Sequence, residues 1–551
     1  MDNETPTLAI YGIRDSISET EPASIHDHAI ALFHKGRVVK TLTLERHSGV
    51  KHDNSLHTHI YKLLKEEGLL KNDNYDIVFV DNVVGRAFIS DGGRFRFEAP
   101  LTDTIVPTIE KGRCRWLGKE REAYILNHEL AHIGATLPFF GAFKENSLLV
   151  HFDGGASKSN FSAWHFNGGK IVPIEAHWKL KWLTSMFNAN ALIFGIIGAK
   201  FSDQQSVPGK MMGLAAYGNY SLEMESWLKA NDFFKDIWGN KTPFFKSAAD
   251  RFGWKKTHLH TEDPFLQDIV ATMHHIFVRE LVSNVERLQK LTGADYLYYS
   301  GGSALNIVAN TELHNKQFFK QIFIPPACED SGLALGAAAF VEWQKHEIVH
   351  PHSPYLINWG LSQPEFTYTS KDIEEAARLL TENKVIGICN GDAEIGPRAL
   401  GNRSILALAN SKSLARKVSM QHKKREWYRP VAPVMLLKNT KLFTNKKEIP
   451  HLSKYMLLDF DIVKDMTKEI EGVVHVDGTS RIQTIFDRSD NPYLYDLLTL
   501  LDEKYNIKAL INTSFNIKGK PIVHTKEDAI SSAKNMNLDA VVINGKLVRI
   551  L

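Results

Sequence analysis

Cysteine, long apolar runs and an excess of charge of either sign are all scarce in this chain. Its 551 residues include three cysteines, Cys114, Cys328 and Cys389, which lie far apart and form no Cys-x-x-Cys pair. The sequence therefore supports neither a disulfide framework nor a thiolate zinc site. The most apolar stretch, residues 191–199, is far shorter than the about 20 residues that a membrane-spanning helix needs. We expect no membrane segment.

The balance of charge favours no charged partner. The formal net charge at pH 7 is +3, which is too small to indicate binding to nucleic acid or to an anionic membrane, although it excludes neither. The first residues, Met1-Asp2-Asn3-Glu4-Thr5, lack the basic and apolar regions of a signal peptide. We expect a cytoplasmic enzyme with no nucleic-acid and no membrane partner.

One pattern occurs twice in the N-terminal half. Residues 8–13 are typical of a strand, and residues 29–44 of the hairpin that follows it. Residues 148–152 form a second such strand, which leads into Asp153-Gly154-Gly155 and then into a hairpin at residues 161–174. Two such units are typical of a duplicated actin-like ATPase fold. Because no regular repeat period is visible, a coincidental pair of hairpins is the alternative.

Other N-terminal segments predict helices and a glycine-rich turn. We predict helices at residues 56–67 and 265–291 and a buried strand at residues 77–80. A strand at residues 296–299 opens into Ser300-Gly301-Gly302-Ser303-Ala304-Leu305-Asn306. Glycines at a strand-to-helix turn let backbone N–H groups approach a nucleotide. Taken alone, such a turn is more often only a turn.

A histidine pair lies in a stretch that predicts a helix at residues 121–136. His128 and His132 share one helix face in His128-Glu129-Leu130-Ala131-His132, so both imidazoles can bind one metal ion. Read literally, this is the His-Glu-x-x-His signature of zinc proteases, with Glu129 as general base. Two histidines on a helix face without any site are the other alternative.

Prolines separate the two halves. Residues 347–364, with Pro351, Pro354 and Pro364, predict a linker. Strands and helices then resume, from a helix at residues 373–381 to a last strand at residues 541–550. We predict domains at residues 1–350 and 363–551, joined by a linker at residues 351–362.

Arginine and lysine cluster among glycine and asparagine in the C-terminal half. Two arginines five residues apart in Gly396-Pro397-Arg398-Ala399-Leu400-Gly401-Asn402-Arg403-Ser404 suit a loop that wraps phosphate oxygens. Three further segments follow, Lys423-Lys424-Arg425-Glu426-Trp427-Tyr428-Arg429-Pro430, His475-Val476-Asp477-Gly478-Thr479-Ser480-Arg481 and Asn512-Thr513-Ser514-Phe515-Asn516. A solvated basic surface is the alternative, but it has no need of glycine and asparagine beside each arginine.

These four segments together resemble the C-terminal half of the O-carbamoyltransferases that act on nodulation factors, cephamycins and aminoglycosides. That half is similar to the YrdC-like threonylcarbamoyl-adenylate synthases. The N-terminal half resembles the actin-like protein that completes threonylcarbamoyl modification of tRNA. The resemblance implies an α/β chain with an N-terminal duplicated actin-like ATPase (ASKHA) domain and a C-terminal YrdC-like domain.

The resemblance also implies a reaction in two steps. The C-terminal domain makes carbamoyl adenylate from carbamoyl phosphate and ATP, and the N-terminal domain transfers the carbamoyl group to a hydroxyl of a small-molecule acceptor. Mg²⁺ accompanies ATP. A second divalent metal, Fe²⁺ in preference to Mn²⁺ or Zn²⁺, is held by His128, His132 and Asp330. Asn127 and Glu129 depart from the Asp and His that the family usually has there.

The resemblance also implies which residues bind the phosphates, which bind the adenylate and which take part in the transfer. The phosphates and carbamoyl oxygens are bound by Arg398, Arg403, Lys423, Arg425, Arg429, Arg481, Asn512, Ser514 and Asn516, with Arg398 and Lys423 also catalytic. The adenylate is bound in the N-terminal domain by Asp153, Gly213, Gly301, Gly302 and Asn306, although Asp153 is alternatively a group beside the metal or only a turn former. His26 is the general base for the acceptor hydroxyl, or alternatively a turn histidine, and Lys51 contacts the donor.

Three other functions stay open on the sequence. A fused enzyme for threonylcarbamoyl modification of tRNA is the first alternative. A nucleotide-binding regulatory protein with inactive sites is the second. A simple sugar kinase is the third, but it leaves the C-terminal domain without a role. The sequence specifies neither the acceptor nor the oligomeric state.

Overall fold

The structure is a computed structural model that describes residues 4–12, 25–71, 74–82, 87–98, 108–234, 241–359 and 365–550. Residues 1–3 lie outside the described residues. So do residues 360–362 of the predicted linker and the predicted domain start at Gln363.

The N-terminal half contains two sheets. The first is built from β1 (Thr7–Tyr11), β2 (Ala29–His34), β3 (Arg37–Thr43), β4 (Asp76–Val80), β5 (Ala87–Ser90), β6 (Phe95–Glu98), β7 (Glu110–Trp116) and β8 (Lys119–Leu126). In the described part of the chain its order is β3-β2-β1-β4-β8-β7-β6-β5. Strands β1, β4 and β8 run parallel, and β2 and β3 form an antiparallel hairpin beside β1.

The second sheet repeats the arrangement of the first. It is built from β9 (Ser147–Phe152), β10 (Phe161–Asn167), β11 (Lys170–His177), β12 (Tyr296–Ser300) and β13 (Gln321–Phe323), in the order β11-β10-β9-β12-β13. Strands β9, β12 and β13 run parallel, with the β10–β11 hairpin antiparallel beside β9. Both units thus have the strand order 3-2-1-4-5 with the same directions. The predicted duplicated actin-like fold is confirmed.

Helices fill the space between and around these sheets. They are α1 (Leu44–Ser48), α2 (Leu56–Glu66), α3 (His128–Gly134), α4 (Leu137–Phe140), α5 (Lys181–Asn188), α6 (Ala191–Ile197), α7 (Val207–Ala215), α8 (Leu222–Ala230), α9 (Lys241–Phe252), α10 (Pro264–Thr292), α11 (Ile307–Asn315) and α12 (Leu333–His346). Helices α3 and α12 are in close contact, because a Cβ on Gly336 would lie 2.0 Å from the carbonyl oxygen of Ala131. This contact fixes the histidine helix against the segment that carries Asp330.

The predicted helix at residues 121–136 is wrong in its first part. Residues 119–126 form β8, which pairs with β7 and β4 and buries Ala123, Ile125 and Leu126. The helix begins only at His128, where the Asn127 side chain accepts a hydrogen bond from the N–H of Leu130. Both histidines remain on the helix, so their shared face is confirmed.

The C-terminal half is a second α/β unit. Its strands are β14 (Tyr355–Ile357), β15 (Ile386–Cys389), β16 (Ala393–Glu394), β17 (Arg403–Leu408), β18 (Ala432–Leu436), β19 (Phe460–Asp461), β20 (Thr479–Ser480), β21 (Gln483–Ile485), β22 (Leu510–Ser514), β23 (Ala540–Ile543) and β24 (Lys546–Arg549). Seven of them form a mixed sheet in the order β21-β18-β22-β17-β15-β23-β24. Two short pairs, β14–β16 and β19–β20, complete the described strands.

Helices pack on this sheet, and the chain ends in a hairpin of two strands. The helices are α13 (Ser370–Thr381), α14 (Lys412–Arg416), α15 (Leu437–Thr444), α16 (Pro492–Tyr505) and α17 (Lys526–Met536). The single last strand predicted at residues 541–550 is instead the β23–β24 hairpin, which turns at Asn544-Gly545 with φ of 45° and 86°. None of the described helices is long and apolar enough to cross a membrane.

Candidate active site

The predicted metal ligands converge in the buried centre of the N-terminal half. His128 and His132 Nε2 lie 3.1 Å apart. Their distances to Asp330 Oδ1 are 3.6 and 3.4 Å. The three side chains are at most 6% exposed. Two imidazole nitrogens that face each other and one carboxylate, away from water, form a donor set that fits a shared divalent cation.

The surroundings of Asp330 hold its carboxylate in place. The phenol of Tyr11 donates a hydrogen bond of 2.8 Å to Asp330 Oδ2, and burial together with Asp330 raises the pKa of Tyr11 well above its usual value. Tyr11 therefore stays a donor. The sequence interpretation placed Tyr11 in a strand and assigned it no role. Tyr11 is the last residue of β1. Ligands of α/β sheets bind at the carboxyl ends of the strands, so this position is the feature of the sequence that could have indicated a site residue.

Glu129 is bonded to the loop at residues 157–159. Its carboxylate accepts hydrogen bonds from the N–H groups of Lys158 and Ser159 at 2.7 and 3.0 Å and from the Ser157 hydroxyl at 2.5 Å. It thereby anchors the loop that follows Asp153-Gly154-Gly155. A carboxylate occupied in this way is not available as the general base of a zinc protease, so the geometry disfavours that alternative.

The predicted nucleotide turn packs onto the same centre. Gly301 has a φ of 107°, and a Cβ there would lie 2.3 Å from the carbonyl oxygen of Phe152. The N–H of Gly302 donates to Asp153 Oδ2, which lies 3.5 Å from His132 Nε2. Asn306 caps α11 by accepting from the N–H of Ala309 at 3.2 Å. The glycine turn, Asp153 and the histidine helix are therefore adjacent.

His26 lies beside the metal ligands in a cluster with Asp27 and His52. Asp27 Oδ2 is 2.8 Å from His26 Nδ1 and 3.0 Å from His52 Nδ1, and His26 Nε2 is 3.8 Å from Asp330 Oδ2. Burial lowers the pKa of His26, but the carboxylates of Asp330 and Asp27 outweigh it and raise the pKa to about 10. Asp27 and His52 were not predicted as site residues.

Lys51 lies within electrostatic range of both halves. Burial lowers the pKa of its ammonium, the Glu45 and Asp27 carboxylates raise it, and Arg429 and Arg425 of the C-terminal half lower it further.

In the C-terminal half, Lys423 meets the predicted serine and asparagine. Its ammonium donates to Ser514 Oγ at 3.2 Å and to Asn516 Oδ1 at 2.9 Å. It also donates to the carbonyl oxygens of both residues. Burial, together with the charges of Arg425 and Arg429, lowers the pKa of Lys423 well below its usual value. An anion bound here would restore the charged form.

Four arginines of the C-terminal half line a cavity of about 760 Å³ between the two halves, namely Arg398, Arg425, Arg429 and Arg481. Burial and neighbouring cations lower the pKa of Arg425 to about 9, and burial lowers the pKa of Arg398 to about 10. The opposite wall comes from the N-terminal half and includes Gly213 and Ile307. Clustered, desolvated guanidinium groups fit a ligand with several negative charges.

Five residues predicted to bind the phosphates and carbamoyl oxygens do not line this cavity. Lys423, Ser514 and Asn516 form the separate cluster described above, and Arg403 and Asn512 are bonded within the fold. The guanidinium of Arg403 is fully buried and donates to the carbonyl oxygens of His524, Asn390, Asn402 and Gly391 at 2.8 to 3.1 Å. The phosphate contact predicted for Arg403 is therefore corrected to a structural role. Asn512 donates to the Ala399 carbonyl oxygen at 3.2 Å and to Gln483 at 2.5 Å, and it supports the loop that carries Arg398.

Comparisons with known proteins match both halves. The family model described as carbamoyltransferase N-terminus matches residues 99–339, and the one described as carbamoyltransferase C-terminus matches residues 377–549. Nodulation protein U of Rhizobium tropici is 34% identical in an alignment that covers 95% of this chain and 94% of that protein. The 3'-hydroxymethylcephem-O-carbamoyltransferase of Streptomyces clavuligerus is 27% identical over 94% of this chain and 96% of that enzyme.

Solved structures resemble part of the chain. Full-length HypF in its phosphate- and nucleotide-bound form aligns with a TM-score of 0.29 and 12% identity over 62% of this chain and 56% of that one. A ROK family glucokinase from Streptomyces griseus aligns with a TM-score of 0.26 and 12% identity over 62% of this chain and 99% of that one.

Proposed function

The chain belongs to the carbamoyltransferase family and is therefore an enzyme that transfers a carbamoyl group to a hydroxyl. We propose that the transfer takes two steps, of which the first consumes ATP. The C-terminal half converts carbamoyl phosphate and ATP to carbamoyl adenylate. The N-terminal half transfers the carbamoyl group from the adenylate to a hydroxyl of a small-molecule acceptor.

The observation that carries this proposal is the shared cavity of about 760 Å³. Its C-terminal wall presents four arginines. Its N-terminal wall, from the helices α7, α10 and α11, mixes apolar side chains such as Val278, Val282 and Val308 with charged ones such as Arg279 and Glu286. The arginine wall suits phosphates, and the apolar side chains of the other wall suit a nucleobase. A nucleotide that bridges both walls would contact the two halves at once.

The first step places its charges on this arginine cluster. Hydrolysis of carbamoyl phosphate gives carbamate and phosphate, and a carbamate oxygen then attacks the α-phosphorus of ATP. The bond to the leaving pyrophosphate breaks, and its charge develops beside Arg398, Arg425, Arg429 and Arg481. Lys423, held by Ser514 and Asn516, would add a further cation once an anionic substrate restores its charged form. Mg²⁺ would accompany the ATP phosphates.

The second step belongs to the buried centre. A divalent cation, for which Fe²⁺ is favoured, would be held by His128, His132 and Asp330 and would supply Lewis-acid polarisation of a bound carbonyl group. Asp153, Gly301 and Gly302 would bind the adenylate, because the glycine N–H groups and the carboxylate lie together. The three metal ligands and Gly301 are buried, and Asp153 and Gly302 are partly buried, which limits the access of water that would otherwise hydrolyse the mixed anhydride.

His26 remains the proposed base for the acceptor hydroxyl. The carboxylates that raise its pKa to about 10 make its neutral form a strong base. Charge neutralisation of Asp330 by a bound cation would lower that pKa toward the neutral range. Asp27 holds the ring from its Nδ1 side, so that Nε2 points toward Asp330.

The test is pyrophosphate release from ATP, with and without carbamoyl phosphate. We expect carbamoyl phosphate to stimulate release by wild type, and Arg398→Ala to lose at least about 100-fold because a transition-state charge contact is removed. Arg488→Ala is the matched control, since Arg488 is an exposed C-terminal arginine paired with Asp496, and it should behave as wild type.

Two outcomes would contradict the proposal. Release that carbamoyl phosphate does not stimulate would exclude carbamoyl adenylation from carbamoyl phosphate. Stimulation by threonine and bicarbonate instead would favour the tRNA-type reaction. Equal losses in Arg398→Ala and Arg488→Ala would show that the cavity arginines have no special part in the reaction.

A further inference from the structure

A lysine of α5, Lys181, contacts the glycine turn of the N-terminal half and has no role in the function proposed above. Its backbone N–H donates to the Trp178 carbonyl oxygen at 2.9 Å, which fixes the turn from β11 into α5. Its ammonium donates to the Gly154 carbonyl oxygen. A Cβ on Gly155 would lie 3.6 Å from Lys181 Nζ. Lys181 is therefore in contact with the segment that begins at Asp153.

The glycine N–H groups at this site already have acceptors. Those of Gly154 and Gly302 donate to the two carboxylate oxygens of Asp153, and that of Gly301 donates to the Cys328 carbonyl oxygen at 2.8 Å. Asp153 is an anion, so it suits the hydroxyl groups of a ribose but repels a phosphate. The phosphate of a bound adenylate therefore needs a donor that these residues do not supply.

The ammonium of Lys181 has unused donors. An ammonium group carries three N–H donors. Among the described residues, the Gly154 carbonyl oxygen is the one acceptor of this ammonium, and no carboxylate forms an ion pair with it. The centroid of the Trp178 ring lies 5.8 Å from Lys181 Nζ, within the range of a cation–π contact. The ammonium is thus held at the turn with donors available to a ligand.

The position of Lys181 is unfavourable for a cation that has no anion beside it. Burial lowers the pKa of Lys181, and the charge of Asp153 offsets only part of that effect. Lys181 is also the first residue of α5, and the dipole of a helix disfavours a cation at that end. An anion bound beside the ammonium would stabilise its charged form.

We propose that Lys181 binds the phosphate group of the adenylate in the N-terminal half. The inference rests on the proposed function, because that function brings an adenylate to Asp153, and it adds the residue that neutralises the charge of the adenylate. Asp153 Oδ2 lies 3.5 Å from His132 Nε2. The carbamoyl group is attached to the bound phosphate, so this placement keeps it near the metal ligands.

The same contact would assist the transfer. When the acceptor hydroxyl attacks the carbamoyl carbon, a new C–O bond forms and the bond from that carbon to the phosphate oxygen breaks. The hydroxyl proton passes to His26, the proposed base, and AMP leaves with a second negative charge on its phosphate. A cation at Lys181 lies where that charge develops, and it stabilises the leaving group.

The experiment measures the acetylation of individual lysines by an N-hydroxysuccinimide ester, read by mass spectrometry of the digested wild-type protein. AMP is the probe, because it carries the phosphate and lacks the reactive anhydride. We expect saturating AMP to slow acetylation of Lys181 at least about 10-fold and adenosine to slow it less than about 2-fold, since only AMP engages the ammonium. Lys179 is exposed and lies two residues earlier. Its acetylation should not change with either compound.

Variants then test the affinity. Calorimetry with AMP is carried out in an Arg398→Ala background, which weakens phosphate binding in the cavity. We expect Lys181→Met to lower AMP affinity about 10- to 100-fold, because a charge-assisted hydrogen bond is lost. Lys181→Arg keeps the charge and should stay within about 3-fold of the background protein. Lys179→Met is the matched control and should bind as the background protein does. Adenosine, which has no phosphate, should bind equally to all of them.

Three results would overturn the inference. The first is binding of AMP by wild type without protection of Lys181. The second is equal AMP affinity of Lys181→Met and Lys179→Met. The third is protection of Lys181 by inorganic phosphate at the concentration at which AMP protects it, which would indicate a site for free anions. Each of these would leave nucleotide binding by the proposed function intact. If wild type bound no AMP, the adenylate site of the proposed function would fall together with the inference.

Discussion

Arg398 and Arg403 lie five residues apart in one loop and use their charge differently. Arg398 lines the cavity and has one hydrogen bond of 3.2 Å, to the Leu305 carbonyl oxygen of the other half. Its Nε has no partner among the described residues. The guanidinium N–H groups of Arg403 donate to four carbonyl oxygens of its own half. One arginine is free for a ligand, and the other ties the loop to the sheet.

Replacement by methionine should separate these two roles. Arg403→Met leaves buried carbonyl oxygens unpaired, so we expect the free energy of unfolding to fall by about 3 kcal/mol or more. Arg398→Met relieves repulsion from neighbouring cations, so we expect little change in stability but loss of pyrophosphate release. Urea denaturation followed by fluorescence measures the first effect. An Arg403→Met protein of wild-type stability that had lost pyrophosphate release would instead restore the phosphate role.

At the scale of elements, the turn from β12 to α11 depends on a single glycine. Gly301 adopts a φ of 107° and packs onto the backbone of Phe152, while its N–H donates to the Cys328 carbonyl oxygen at 2.8 Å. The next residue, Gly302, bonds Asp153. The turn therefore joins the two segments that flank the metal centre.

Gly301→Ala should disrupt this junction. The added Cβ meets both an unfavourable φ and a carbonyl oxygen 2.3 Å away, so we expect a loss of about 3 kcal/mol in unfolding free energy. Gly169→Ala is the matched control, because Gly169 has a φ of 71° but nothing within 4 Å of the added atom. It should cost only about 1 kcal/mol. Equal losses in the two variants would show that the contact with Phe152 has no energetic weight.

The same elements show how far the sequence predicts the fold. Strand alternation and the Asp-Gly and Gly-Gly turns were local signals, so both hairpin units and the duplicated topology were predictable. The helix at residues 121–136 was not, because strand β8 and helix α3 adjoin and only the Asn127 cap separates them. Asn544-Gly545 was a readable hairpin signal that the prediction of one last strand overlooked.

The sequence predicted those site residues that lie close together in the chain, and it did not predict those that only folding brings together. His128 and His132 follow from a four-residue spacing on one helix. Tyr11 escapes notice because its hydrogen-bond partner, Asp330, is 319 residues away along the chain. Arg403 and Arg398 look alike in the sequence, since burial of Arg403 depends on His524, which is 121 residues away. Such differences arise only when the chain has folded.

At the scale of the whole molecule, the segment at residues 423–430 faces both halves. Arg425 and Arg429 line the cavity. Between them, Glu426 forms an ion pair of 3.2 Å with Lys210 of α7, and the Trp427 indole donates to Thr261 Oγ1 at 3.0 Å. The residues that bind the N-terminal half thus alternate with those that face the ligand. The contact between the halves and the position of the arginines are coupled.

Lys210 and Lys518 allow this coupling to be measured, because both contact Glu426 Oε1. Lys210 is buried and comes from the N-terminal half. Lys518 is half-exposed and comes from the same half as Glu426, and its Nζ lies 3.0 Å from Glu426 Oε1. We expect Lys210→Met to cost about 2 kcal/mol in unfolding free energy and to raise KM for ATP in pyrophosphate release, since the arginines lose their support. Lys518→Met should cost less than about 1 kcal/mol and leave KM unchanged.

A double-mutant cycle completes the argument. Burial raises the pKa of Glu426, but a backbone N–H, Lys518, Arg429 and Lys210 outweigh it and hold the pKa at about 2, so Glu426 is charged across the working pH range. Lys210→Met and Glu426→Gln should therefore be non-additive, with a coupling free energy of about 1 to 3 kcal/mol in stability and a matching coupling in KM. Coupling in stability without coupling in KM would mean that the ion pair holds the halves together but does not position the arginines. Additive effects in both would show that the cavity forms independently of this contact.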